Sequence, residues 1–154
     1  TKMKPTTDHD RDGNNDDVED FPTPRASPCM VALDDHTCLV FGGASTRISS
    51  SDNGDGSPFL HGCNDTWVLE LDWENHTVQW TCLIAEDDDS VISPPGRNAA
   101  TLSKLMSRPS WMTTNDDNDD DDQVGTHSQY FLLHGGWYPF RTTYNEDYLL
   151  RVIK

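Results

Sequence analysis

No stretch of this chain comes near the 18 or so consecutive apolar residues that a membrane-spanning helix needs, and no charged-then-apolar leader opens it at Thr1. Basic residues are scarce: 11 Lys and Arg stand against 27 Asp and Glu, for a formal charge of -16. Without a basic stripe nothing neutralises phosphates, so nucleic acid is excluded as a partner, and an acidic surface repels anionic membrane as well. Cysteine is sparse and dispersed. Cys29, Cys38, Cys63 and Cys82 form neither a Cys-x-x-Cys pair nor a dense framework, which points to free thiols in a reducing compartment, cytoplasmic or nuclear. The two N-glycosylation patterns at Asn64 and Asn75 are short enough to arise by chance. Apolar residues make up only 34% of the chain, so much of it lies outside any core. A chain opening on Thr1 rather than Met is expected to be a fragment or a processed product.

The acidity is not spread evenly. Residues 1–20 hold seven acids, Glu86 to Asp89 four and Asp116 to Asp122 six, together 17 of the 27, and the remainder is close to neutral. Asp tracts repel themselves and carry too little apolar surface to offset the entropy of ordering. Residues 1–20 are therefore expected to form a disordered acidic arm. The Asp run is expected to sit in a solvated insertion at about 106–128.

Between these tracts, short β-type runs alternate with turn-rich stretches. Cys29 to Leu33, Cys38 to Phe41, Thr66 to Leu71 and Val78 to Leu83 each have the length of a strand. Asp34 to Thr37 and Asp72 to His76 supply polar turns. A second series follows, with strands expected at Ala99 to Leu105, Tyr130 to His134 and Tyr148 to Ile153. No sustained 3.6-residue period occurs, so helices should be scarce and the fold class all-β.

The second series repeats the first. Pro22-x-x-Arg25 recurs as Pro94-x-x-Arg97. A strand running into Gly42 and Gly43 recurs as one running into Gly135 and Gly136. Asn64 and Asp65 open an apolar strand, as do Asn145 and Asp147. In the first copy Trp80 follows on the next strand. This ordered set resembles the kelch repeat, about 50 residues per four-stranded blade of a β-propeller. Asn64 to Leu71 followed by Pro94 to Arg97 looks like the kelch domains of plant-type F-box proteins. The resemblance implies a partial propeller of antiparallel four-stranded blades, with blade one at 21–93 and an incomplete blade two at 94–154. It also implies structural roles. The glycine pairs end the second strand of each blade, Trp80 packs between blades, and Arg25 and Arg97 tie successive blades together. Three departures are visible: no histidine follows the Pro-x-x-Arg arginines, Glu146 splits the second Asn/Asp pair, and Leu149 stands where Trp67 stood.

The function implied is protein recognition through blade loops, in the manner of a ubiquitin-ligase substrate adaptor, with the remaining blades as further partners. The alternative is a piece of a propeller enzyme, a metal-dependent oxidase or lyase. Strand alternation puts Ala44 to Cys63 and Ile84 to Gly96 at the same end of blade one. Candidate partner-binding residues there are Arg47, Phe59, His61, Glu86, Asp87, Asp88 and Asp89, the acidic group favouring a partner with a basic segment.

No catalytic residue, cofactor or metal site follows from the spacing. Asp8 to Glu19 fits the EF-hand loop pattern, but Asn15 occupies its apolar position, and Pro5 and the Phe21-Pro22 pair deny it flanking helices. Only weak, non-specific cation association is expected of it. His61 and Cys63 supply two ligands on a loop, fewer than the three or four of a zinc site.

Overall fold

The computed structural model describes residues 4–5, 21–48, 58–109 and 128–153. The EF-hand-like segment, nearly all of the acidic arm, residues 49–57 and the Asp run lie outside the described residues. Among the described residues the chain is all-β, and no helix is long and apolar enough to cross a membrane. In chain order the strands are β1 (Lys4–Pro5), β2 (Arg25–Ala26), β3 (Cys29–Ala32), β4 (Thr37–Phe41), β5 (Ala44–Ile48), β6 (Pro58–Gly62) and β7 (Thr66–Asp72). They continue with β8 (Thr77–Ile84), β9 (Thr101–Lys104), β10 (Ser128–His134), β11 (Trp137–Tyr138), β12 (Thr142–Thr143) and β13 (Asp147–Ile153).

The seven expected strands are β3, β4, β7, β8, β9, β10 and β13. The first four form an antiparallel sheet in the spatial order β3-β4-β7-β8, and Lys4–Pro5 lies parallel against the outer edge of β8. The last three form a second antiparallel sheet, β9-β10-β13. No sheet closes on itself among the described residues. The polar turns sit where Asp can hold them. Asp34 Oδ1 accepts the His36 amide at 2.9 Å, and Asp72 Oδ1 accepts the amides of Glu74 and Asn75 at 3.0 and 2.9 Å.

A period of two puts Leu39 and Phe41 on one face of β4 and Val40 on the other. Register aligns Val31, Leu39 and Val68 across three strands. This face packs on the second sheet. Cys29, Phe41 and Leu133 are buried together against Leu102 and Leu150, and Leu33, Leu39 and Phe131 form the adjoining cluster. Burying a Leu or Phe side chain contributes about 1.5–3 kcal/mol, so this stack of two sheets is the core. Polar links stitch its rim: Cys29 Sγ donates to the Ala100 carbonyl at 3.1 Å, and Lys104 Nζ to the Leu33 carbonyl at 2.9 Å.

One correction concerns the stretch expected as a long loop. Its described ends pair as the two strands of a hairpin, β5 with β6 from Ala44↔Gly62 to Ile48↔Pro58, and β2 adds to the edge. The second repeat carries the same device, the short hairpin β11-β12, between β10 and β13. Each glycine pair starts its hairpin in left-handed backbone, with Gly42 at φ +64° and Gly135 at φ +66°. At Gly42 the requirement is doubled, because a Cβ would stand 2.5 Å from the Arg97 carbonyl oxygen.

The two arginines sit in different surroundings. Arg25 donates through Nη1 and Nη2 to both carboxylate oxygens of Asp65, at 2.5 and 2.8 Å, and to the Gly42 carbonyl at 3.0 Å. Arg97 reaches the Gly135 carbonyl at 2.9 Å and stacks between Tyr144 and Tyr148. Both side chains stay within their own repeat. Arg97 links the repeats through its main chain, whose carbonyl accepts from Gly43 and whose amide donates to Cys63. The register of β8 puts Trp80 on the face turned away from β9-β10-β13, edge-on to Trp67 at 6.5 Å.

Candidate functional site

Three segments converge at the glycine end of the molecule: the β5-β6 hairpin, the connection 85–96 that follows β8, and the β11-β12 hairpin. Close backbone approach holds the first two together. A Cβ on Gly96 would lie 2.0 Å from the Gly62 carbonyl oxygen, so glycine at this crossing lets the connection lie flat on β6. Asn64 fastens it further, its Oδ1 accepting the Asp87 amide at 3.1 Å and its carbonyl the Ser93 hydroxyl at 3.3 Å.

Into this junction the hairpin sends Arg47 and His61, from facing strands, while the connection sends Glu86 and Asp87. Arg47 Nη2 pairs with Glu86 Oε2, and His61 Nε2 contacts Glu86 Oε1. Nδ1 of His61 lies 2.9 Å from the hydroxyl of Tyr138 on β11. The imidazole stands edge-on to both Phe59 and Tyr138, with centroids 6.5 and 5.8 Å away. Aromatic edges and a hydroxyl therefore fix the ring plane. One ligand atom from each of His61, Glu86 and Asp87 lies within 4.8 Å of the others.

Asp88 turns back on its own loop, accepting from the Ser90 hydroxyl at 2.5 Å and the Ser90 amide at 2.9 Å, which hold its carboxyl below the usual range. Asp89 is exposed. Apolar side chains are left in water on the same segments: Phe59 shares a hairpin face with Arg47 and His61, Ile48 and Leu60 take the opposite face, Val91 and Ile92 lie on the connection, and Phe140 at 82% exposure sits on the β11-β12 turn.

The structural positions separate cleanly from this junction. Asp65 is buried between Arg25 and the Trp67 indole, which donates to Oδ2 at 2.7 Å. Its counterpart Asp147 is exposed and meets His134 at 2.6 Å instead of Arg97. The extra residue Glu146 accounts for the difference: it brings its own carboxylate to 3.9 Å from Arg97 Nη2, and Asn145 is exposed. All four cysteines are free. Burial pushes the Cys63 thiol up to about 11 and raises Cys29 as well, so these two are poor nucleophiles and poor metal ligands at neutral pH.

Sequence reasoning missed Tyr138 and the pairing of His61 with Glu86, since 25 residues separate that pair and 77 separate Tyr138 from His61. The one available signal was the alternation in Thr46-Arg47-Ile48 and Phe59-Leu60-His61, which marks the hairpin that carries the cluster. No protein-family model matches the chain, and no curated protein matches it.

Proposed function

We propose that this chain is a protein-recognition module, a part of a kelch-type propeller that grips a partner at the end formed by β5-β6, residues 85–96 and β11-β12. The observation that carries the reading is the pattern at that end: Phe59 is exposed on the hairpin face that carries the His61–Glu86 contact, and Ile92 and Phe140 are exposed on the adjoining segments, which backbone contacts brace. Exposed aromatic and aliphatic side chains on a rigid support act as anchors, and flanking charge sets orientation and association rate. Arg47 is engaged by Glu86, so Asp87 and Asp89 are the charges offered outward. The matching partner is an extended segment with Lys or Arg beside a large apolar residue. Within a complete ring, that surface suits substrate capture for a ubiquitin ligase.

The test is selection of binders from a random peptide library displayed on phage, using the whole chain as bait. Selected peptides should combine basic and apolar residues. Phe59→Ala and Phe140→Ala should each weaken them about tenfold or more, equivalent to about 1.4 kcal/mol. Neutralising Asp87 and Asp89 should slow association and flatten its salt dependence. Deleting residues 115–123, which stand in the sequence between β9 and β10, should change nothing. Peptides bound equally well by Phe59→Ala and Phe140→Ala, or lost on that deletion, would place recognition elsewhere.

A further inference from the structure

The contact between His61 and Glu86 poses a question of proton balance. Tyr138 occupies the Nδ1 side of the imidazole at 2.9 Å. The phenol either donates to Nδ1, which leaves the Nε2 hydrogen for the Glu86 carboxylate, or accepts the Nδ1 hydrogen, which leaves an Nε2 lone pair beside that carboxylate. In the second arrangement two acceptors face each other, and a cation between them satisfies both. A proton on Nε2 satisfies the pair in the metal-free chain. A divalent ion satisfies it equally and recruits the Asp87 carboxylate, whose oxygen completes a set of three within 4.8 Å.

We propose that His61, Glu86 and Asp87 bind a first-row divalent metal ion of the Zn²⁺ type. One imidazole nitrogen and two carboxylate oxygens suit Zn²⁺ or its neighbours, whereas Ca²⁺ and Mg²⁺ prefer oxygen alone. Metal–ligand lengths of about 2.0–2.2 Å put neighbouring ligand atoms about 3–4 Å apart, within reach of a small rotation of the exposed Asp87 side chain. Outer contacts of the usual kind are already in place. Tyr138 orients the histidine, Arg47 holds Oε2 of Glu86 and leaves Oε1 for the metal, and Asn64 fixes the Asp87 main chain. Asp88 and Asp89 add negative charge that draws a cation to the same loop. Three protein ligands leave a coordination position open, and the ion locks the β5-β6 hairpin to the connection after β8. This inference does not depend on the recognition reading, since the ion binds whether or not a partner does.

The whole chain, stripped with a chelator, is titrated with Co²⁺ followed by absorption and with Zn²⁺ by competition against a chromophoric chelator, alongside thermal melting. The expected result is a Co²⁺ d–d spectrum showing nitrogen ligation, a single tight Zn²⁺ site, and a Zn²⁺-dependent rise in Tm of about 5 °C or more at a hundredfold excess over Kd. Ca²⁺ at the same concentration should give no such rise. His61→Ala and the exposed Asp87→Asn should each weaken the tight site tenfold or more, with Asp87→Asn keeping the metal-free Tm of the parent chain. A variant with Asp116, Asp117, Asp119, Asp120, Asp121 and Asp122 changed to Asn should retain the site. A Zn²⁺ response equal to that of Ca²⁺, a response lost only with the Asp run, or undiminished binding in Asp87→Asn would overturn the assignment.

Discussion

Replacing Asp65 by Ala should damage the first sheet more than any other change of a polar residue in it. The carboxylate is 4% exposed and serves three donors at once: both terminal nitrogens of Arg25 and the indole of Trp67. Arg25 has other acceptors, the Gly42 carbonyl at 3.0 Å and the Thr23 carbonyl at 3.0 Å, but these are neutral and leave its charge uncompensated in a buried place. Breaking a buried ion pair from one side costs about 3–5 kcal/mol, and an indole N–H left without an acceptor costs about 1–3 kcal/mol. Because the penalties overlap, a loss of about 4 kcal/mol or more is expected, a large part of the about 5–15 kcal/mol that holds a typical domain folded. Removing both charges behaves differently. In Arg25→Met/Asp65→Leu no charge is left unpaired, only the neutral Trp67 indole and Gly42 carbonyl that had bonded to the pair, and the cost should fall to about 2 kcal/mol. Urea unfolding followed by tryptophan fluorescence reads the change directly, since Trp67 and Trp80 form an edge-to-face pair beside the site. If Asp65→Ala costs less than about 1 kcal/mol, or if the double variant is no better than the single, the ion pair does not organise this sheet.

The glycines allow an internal control. Gly42→Ala places a Cβ 2.5 Å from the Arg97 carbonyl oxygen at φ +64°, whereas Gly135→Ala at φ +66° meets nothing nearer than 3.6 Å. Both pay about 1–2 kcal/mol for left-handed backbone, but Gly42→Ala should lower Tm clearly further, and equal shifts would mean that the close approach is not maintained in solution. For Cys63 the folded-state value of about 11 lies above the ordinary 9.0. Between these values the folded chain holds a proton the unfolded chain has released, so stability intact below pH 9 should decline as pH rises toward 11. Cys63→Ala should remove that part of the decline, and urea midpoints unchanged across this range would refute it. At pH 8, iodoacetamide followed by mass spectrometry should label the part-exposed Cys38 well before Cys63, and the reverse order would contradict the burial.

Alternating apolar residues, Asp-bearing turns and the twice-repeated order of Pro-x-x-Arg, Gly-Gly and Asn/Asp were enough to place all seven strands of the two main sheets, because each is a local signal with a local cause. Leu39 and Phe41 must share a face whatever packs against it, and Asp72 can cap its own turn without help from elsewhere. Strand alternation alone put the stretches around Arg47 and Glu86 at one end. The hairpin β5-β6 was less legible, since its strands are short, exposed at the tip and separated by polar residues that read as loop.

What the chain could not reveal in one dimension is how charges and rings find partners over long separations. The departure at Glu146 was visible as one extra residue, but only packing shows its consequence: a shift by one position turns Asp147 outward and leaves Arg97, fully buried, to two tyrosine rings and a distant carboxylate. The bonds that Arg97 makes to the first repeat were illegible for the same reason, because they run through its carbonyl and amide, and main-chain groups carry no sequence signature. Likewise His61, Glu86, Asp87 and Tyr138 are unremarkable where they stand in the chain. Stacking of the two sheets brings the β11-β12 hairpin beside β6, and the glycine crossing at Gly62 and Gly96 lays the acidic connection on top. Local residue chemistry therefore determined the strands and turns, while contacts between distant segments decided which side chains share a site.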